Sequence, residues 1–312
     1  MVELLDSTLR EGCQAPGVSF SVEQRLEVAL LLDEFGVDFI DAGHPVVSKD
    51  VLEGVKLVAG QGLNAHVISH ARACRKDVDA VIDSGSEWVG IFLGVNKFSL
   101  HEKVHCSKRE AFDMVVDSVS YAKAHGLKVR YTPEDATRTE WADLVEISLR
   151  AVEAGADRIS IADTVGVSTP GRMAALVSYL KGRLPCPLNV HCHNDLGLAV
   201  ANSLAAYEAG VTLIDASVNG LGERAGITPL HEITVALSYL YGVKKWKLDM
   251  LPGISQVVAK YSGIPVHPET PLVGKYAFTH TADLHKKAVK KNPESYEPFS
   301  PDMVGRKRSF SP

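Results

Sequence analysis

The chain has 312 residues, a formal net charge of -5, 46% hydrophobic and 23% charged residues. That is ordinary for a globular protein able to bury a large core, and the acidic balance argues against nucleic acid as the main partner. No apolar run approaches the ~20 residues that cross a bilayer, MVELLDSTLREG is no secretory signal, and five cysteines without a C-x-x-C pair fit reduced thiols, so a soluble cytoplasmic protein with no membrane partner is expected.

Short β-branched runs recur at Glu3–Ser7, Val37–Ala42, Asn64–Ser69, Glu87–Leu93, Leu127–Thr132, Arg158–Ala162, Pro187–Cys192 and Val211–Ser217. Amphipathic stretches lie between them, among them Val22–Phe35, Arg109–His125, Trp141–Ala154 and Leu198–Ala209. Gly36, Gly126, Gly155 and Gly210 stand where helices should stop. Eight such units predict an α/β fold, a (β/α)₈ TIM barrel over residues 1–244. A doubly wound sheet would carry a glycine-rich phosphate loop after its first strand, and DSTLREG stands there instead. From residue 245 the rhythm stops. Residues 245–312 read as a small helical appendage with a basic run, Lys286 to Lys291, and the stretch from Arg306 to Pro312 as a mobile tail.

Barrel enzymes place their chemistry at the C-terminal ends of the strands, and reactive residues collect there. The first strand leads into Arg10-Glu11, the third ends in Ser69-His70-Ala71-Arg72, and the sixth runs into Asp163-Thr164. The fifth presents Arg130 and Thr132 on one face. An inward arginine needs an anion, either Glu134 or Asp135 as an ion pair or a substrate carboxylate. The seventh ends in His191-Cys192-His193-Asn194-Asp195. Alternation puts both histidines on one face and Cys192 on the other, as a small buried hydrophobe. An isolated pair of this kind is more often a hydrogen-bonded core pair, but at a strand's C-terminal end it suits a divalent metal ion such as Mg, Mn or Zn. Glu11 would complete a His₂–carboxylate site, since the first and seventh strands are neighbours across the eighth. Arg10 would steady an alkoxide. After the eighth strand, Asn219-Gly220-Leu221-Gly222-Glu223-Arg224-Ala225-Gly226 offers close backbone approach to a ligand.

As a set, LDSTLREG, ADTVG, HCHNDLGLAVAN and NGLGERAG resemble the barrel enzymes that include isopropylmalate, citramalate and homocitrate synthases, with hydroxymethylglutaryl-CoA lyase as a distant relative. The resemblance runs from Leu5 to about Gly305. It implies metal ligation by Glu11, His191 and His193, catalysis by Arg10, and acetyl-CoA as co-substrate of an acyltransferase. His285 and Tyr296 would enter a neighbouring subunit's site, which implies a homodimer. Glu134 and His285 are then candidates for taking a proton from the acetyl methyl. Gln14, His70, Arg130, Thr132 and Thr164 would bind the 2-oxo acid, and Asn219, Gly220, Gly222 and Arg224 the CoA moiety.

Val129-Arg130, Glu134-Asp135, His70 and the run from Glu223 to Leu230 resemble the homocitrate synthases of lysine biosynthesis, implying an acceptor with a second anionic group, 2-oxoglutarate first. Cys13-Gln14-Ala15-Pro16 and Asp41-Ala42-Gly43-His44-Pro45 depart from that pattern. These departures keep phosphonopyruvate, oxaloacetate and an aryl pyruvate as alternatives, beside an acyl-CoA lyase. No counterpart of the regulatory domain of isopropylmalate synthases is seen, so leucine-type feedback through it is not expected.

Overall fold

A computed structural model describes residues 2–311. Eight strand–helix units follow one another: β1 (Glu3–Asp6), α1 (Val22–Phe35), β2 (Phe39–Gly43), α2 (Lys49–Ala59), β3 (His66–Arg72), α3 (Arg75–Ser84), β4 (Trp88–Phe92), α4 (Lys108–Ala124), β5 (Lys128–Thr132), α5 (Trp141–Glu153), β6 (Arg158–Asp163), α6 (Pro170–Lys181), β7 (Leu188–Cys192), α7 (Ala199–Glu208), β8 (Leu213–Ala216) and α8 (Leu230–Tyr241). The strands form a closed barrel in chain order, every pairing parallel, with β8 closing on β1. This is the TIM barrel that the rhythm predicts.

Local chemistry sets the helix ends. Ser21 with Gln24 and Ser107 with Glu110 form reciprocal caps that satisfy free N–H groups at the starts of α1 and α4. Gly36 stops α1 at φ 102°, a conformation that glycine adopts without strain. Fully buried strands such as β6 and β7 pack against helices outside and other strands' side chains inside.

Two apolar layers result. The larger lies between barrel and helices, around Leu32, Phe35, Val58, Val115 and Ile147. The smaller, Leu5, Phe39, Ile68, Trp88 and Leu213, fills the lower lumen. Beneath it Arg158 bridges to Glu3 at 2.6 Å and lies over the Phe39 ring at 5.7 Å. The barrel therefore has a floor.

Beyond α8, helix α9 (Leu251–Ser262) packs on α1 and on the turn after β8, where Asn219 Nδ2 donates to the Ser255 carbonyl at 3.0 Å. Then come β9 (Thr279–His280), α10 (Asp283–Lys291) and β10 (Ser309–Phe310), with β9 and β10 paired in parallel. The expectation of a mobile tail from Arg306 is corrected here. Arg306 donates to the carbonyls of Val273 (3.1 Å) and Gly274 (2.8 Å), and Arg308 grips Glu297 at 2.7 and 2.6 Å. Only Pro312 of that stretch lies outside the described residues.

Candidate active site

The C-terminal ends of the strands open into one polar bowl above the floor. The chain leaves β1 in a tight turn: Asp6 Oδ1 accepts the Thr8 N–H at 2.8 Å, and the Ser7 carbonyl accepts that of Glu11 at 2.7 Å. This turn aims Arg10 and Glu11 into the bowl. Arg10 Nε donates to Asp41 Oδ2 at 2.8 Å, and its Nη1 is paired with Glu11. Glu11 Oε1 also accepts the backbone N–H of Glu223 at 3.1 Å.

From β7, His191 and His193 both reach the bowl, while Cys192 is fully buried among apolar side chains. His191 Nδ1 lies 3.0 Å from Asp215 Oδ2 on β8, which leaves its Nε2 free. One donor atom from each of Glu11, His191 and His193 lies within 4.8 Å of the others, and all three residues are buried. His193 Nδ1 is buried without a hydrogen-bond partner. Two imidazoles and a carboxylate in such a cluster fit a divalent metal ion.

Electrostatics suit the same reading. Burial works to raise the Glu11 carboxyl, but Arg10, His191 and His193 together hold it below the usual range. Burial, helped by His191, pushes His193 down to about 3, so its ring is neutral with a lone pair to offer. Asp215, though fully buried, stays below the usual range because of Arg130 and His191. Burial drives Asp6 the other way, up to about 7, with Asp41 and Asp215 adding to the effect.

Arg130 requires a correction. Its anion within the chain is neither Glu134 nor Asp135: Nη1 meets Asp215 Oδ2 at 3.2 Å and Asn189 Oδ1 at 3.1 Å, with both charged side chains almost wholly buried. Arg130 still lines the bowl, and its Nε has no partner. Glu134 is bound to Lys103 at 2.8 Å, and Asp135 to Arg138 and Asn96.

Of the other expected contacts, Gln14, His70, Thr132 and Thr164 all line the bowl. His70 Nδ1 and Thr132 Oγ1 are buried and unpartnered. Thr164 Oγ1 accepts the Asp135 N–H at 2.8 Å. The Gln14 amide, with its nitrogen turned inward, sits 2.9 and 3.1 Å from the Glu11 oxygens.

Asn219, Gly220, Gly222 and Arg224, in the loop after β8, do not line the bowl; only Glu223 of that loop does. Its close approaches are to the chain itself: a Cβ on Gly222 would come within 3.0 Å of Glu11 Cγ, and one on Gly226 within 1.8 Å of the Gly220 carbonyl oxygen. Arg224 is engaged by Asp195 at 2.7 Å and by the Thr164 carbonyl at 2.7 Å. His285 and Tyr296 stack on each other with ring centroids 3.9 Å apart and do not line their own chain's bowl.

Sequence reasoning passed over Phe92, Ser160 and Asp215 as bowl residues, whereas His44 and Glu223 were read there only as parts of the runs after the second and eighth strands. Strand alternation from Leu213 would have put Asp215 inward. His44 was expected in the bowl as part of the run Asp41–Pro45 that departs from the homocitrate synthase pattern after the second strand, and it lines the bowl.

A family model described as HMGL-like matches residues 1–258, and one described as homocitrate synthase post-HMGL domain-like matches residues 272–311. A homocitrate synthase of Pyrococcus horikoshii is 52% identical over 307 residues, covering 98% of this chain and 85% of the relative. One of Saccharolobus islandicus is 46% identical over 315 residues, covering 99% and 68%. Among solved structures, the HMG-CoA lyase of Bacillus subtilis superposes with a TM-score of 0.77 at 19% identity, over 86% of this chain and 96% of that one, a likeness of fold. No helix among the described residues is long and apolar enough to cross a membrane. The HMGL-like family model over four-fifths of the chain, followed by the segment described from homocitrate synthases, leaves one conclusion: this chain belongs to the HMGL-like family, among relatives named homocitrate synthase.

Proposed function

We propose that this protein is a cytoplasmic, homodimeric acyltransferase that joins acetyl-CoA to a 2-oxo acid, with 2-oxoglutarate as acceptor and homocitrate and CoA as products. The observation that carries the reading is the cluster of Glu11, His191 and His193, with Arg10 beside it and unpartnered polar atoms across the bowl. A divalent ion held there would supply Lewis acidity toward the ketone.

The chain's own groups do the rest. Asp41 and Glu11 hold the Arg10 guanidinium in place, where it meets negative charge developing on the ketone oxygen. A base takes a proton from the acetyl methyl, and that carbon bonds to the ketone carbon. The ketone oxygen becomes a hydroxyl, and water then cleaves the thioester to free CoA. Glu134, tethered to Lys103, is the candidate base in its own chain. His285 and Tyr296 of a second copy would complete the site from above. Their stacked pair is partly exposed and absent from its own bowl, which suits that role.

Appearance of free thiol on mixing metal-loaded protein, acetyl-CoA and a panel of 2-oxo acids tests the reading. The fastest release is expected with 2-oxoglutarate. No release with any 2-oxo acid, together with cleavage of hydroxymethylglutaryl-CoA, would replace it with a lyase.

A further inference from the structure

Helix α10 carries four lysines in six residues, Lys286, Lys287, Lys290 and Lys291, in a chain whose net charge is -5. Its single carboxylate, Asp283, is tied to Lys286 at 3.0 Å, and Lys286 also donates to the Ser311 carbonyl at 3.3 Å. Lys287, Lys290 and Lys291 are exposed and make no ion pair among the described residues. Like charges one turn apart, as at Lys286 and Lys290 or Lys287 and Lys291, disfavour a helix. Nothing inside the chain offsets that repulsion, so this face suits an anion from outside.

The lysines do not stand on a bare helix. Arg308 is anchored on Glu297, and β10 pairs with β9, which lays Phe310 beside His280. The result is a groove between α10 and β10, lined by Asp283, Lys286, Lys287, Lys290, Phe310 and Ser311. Phe310 is 40% exposed, and Lys290 Nζ stands 5.0 Å from its ring centroid. An open aromatic face beside three cations matches a phosphorylated nucleotide: ammonium groups meet phosphate oxygens as point charges, and the ring stacks on a purine. A bare phosphate has no use for the ring, and an apolar ligand has none for the lysines.

Helical spacing ties the groove to the reaction. At ~3.6 residues per turn, Lys286, Lys287 and Lys290 share one face, and His285 stands about 100° round from Lys286. His285 is stacked on Tyr296 with centroids 3.9 Å apart. One short helix thus offers a candidate catalytic pair on one side and a nucleotide cradle on the next. A long pantetheine arm separates the thioester of acetyl-CoA from its phosphates, so the two ends have to be met at separate places. The loop after β8 offers those phosphates one cation, Arg224, which Asp195 holds at 2.7 Å. The groove offers three.

We infer that the groove between α10 and β10 holds the 3′-phosphorylated ADP end of acetyl-CoA, with Lys287 and Lys290 on phosphate oxygens and Phe310 against the adenine. The inference rests on the condensing function above and goes further, by assigning the co-substrate's nucleotide to the appendage, for whichever barrel His285 serves.

The experiment measures calorimetric binding of adenosine 3′,5′-bisphosphate, and KM for acetyl-CoA, in the whole metal-loaded protein. Lys287→Gln/Lys290→Gln should weaken the first and raise the second at least about tenfold, through loss of charge-assisted hydrogen bonds. KM for 2-oxoglutarate, and kcat/KM with S-acetylpantetheine, which lacks the nucleotide, should stay within about twofold of wild type. Lys287→Arg/Lys290→Arg keeps both cations and should keep the affinity. Phe310→Ala removes no charge, so a loss of about fivefold in bisphosphate binding separates stacking in the groove from a diffuse positive field. Bisphosphate affinity within about twofold of wild type in either the Lys→Gln or the Phe310→Ala protein overturns the inference. So does an equal loss of kcat/KM with S-acetylpantetheine, since the lysines would then act on the reacting end; in both cases thiol release by the wild type leaves the function standing. A wild-type enzyme that releases no thiol with any 2-oxo acid defeats the function, and the inference with it.

Discussion

Cys192 lies between two bowl histidines in sequence, yet its side chain is fully buried on the other face of β7, and burial pushes its thiol up. His191→Ala and His193→Ala should each abolish turnover and lower the divalent metal retained, while Cys192→Ala keeps both near wild type; unchanged metal content in both histidine variants would rule out the ligand assignment. Arg130 now carries a stability expectation. Its loss leaves Asp215 buried without its main cation, so Arg130→Ala should cost about 3 kcal/mol in denaturant unfolding. Arg150→Ala, which breaks an exposed pair with Glu146, should cost under about 0.5 kcal/mol. Equal losses would mean that the buried pair is not structural. Asp6 predicts a pH effect. The folded state keeps the Asp6 proton up to about 7, whereas the unfolded chain sheds it near 3.8. Stability therefore falls as pH rises between those values, and the penalty persists above them. Asp6→Asn should remove about 2 kcal/mol of the loss that the metal-free wild type suffers between roughly pH 5 and 8, read from denaturant midpoints. Parallel curves for the two proteins would refute it.

At the scale of elements, the loop after β8 acts on the metal site through packing. Glu223 donates its N–H to Glu11, and the loop reaches that position only because Gly222 and Gly226 have no Cβ to clash. Gly226→Ala, at φ 77° and against the Gly220 carbonyl, should weaken metal retention although residue 226 touches no ligand. Metal content equal to wild type would show that the loop does not orient Glu11. The elements also show what was legible. The expected span of α1, Val22–Phe35, is the observed one, because its cap at Ser21 and its stop at Gly36 are both local. Strand three was expected at Asn64–Ser69 and is observed at His66–Arg72. Its last residues are extended because they pair with Gly90, Ile91 and Phe92 of β4, a partner that local sequence does not name. The site divides the same way. Glu11, His191 and His193 were readable from strand position and alternation. The partner of Arg130 was not, since Asp215 lies 85 residues away and meets it only after the barrel closes. His44 owes its place partly to the register shift between Asp41 and Gly43, which spacing along the chain does not reveal.

For the whole molecule, the appendage raises the question of what covers it. Leu284 is 71% exposed beside His285, with Tyr276 at 52% and Tyr296 at 44%. Exposed Leu284 and Tyr296 at a candidate catalytic pair fit a surface completed by a second copy. Mixing two inactive variants, Arg10→Ala and His285→Ala, tests this directly. If sites are shared, a mixed dimer holds one site with both lesions and one with neither, and part of the activity returns. No recovery despite demonstrated subunit exchange would assign the appendage to its own barrel.

The floor of the barrel has a consequence for traffic. Leu5, Phe39, Ile68, Trp88 and Leu213, sealed below by the Arg158–Glu3 bridge, close the lumen at one end. Acceptor, acetyl-CoA, water and departing products must then share a single doorway. One cover laid over the rim suffices to dry the bowl, and lifting it is the step at which everything enters or leaves.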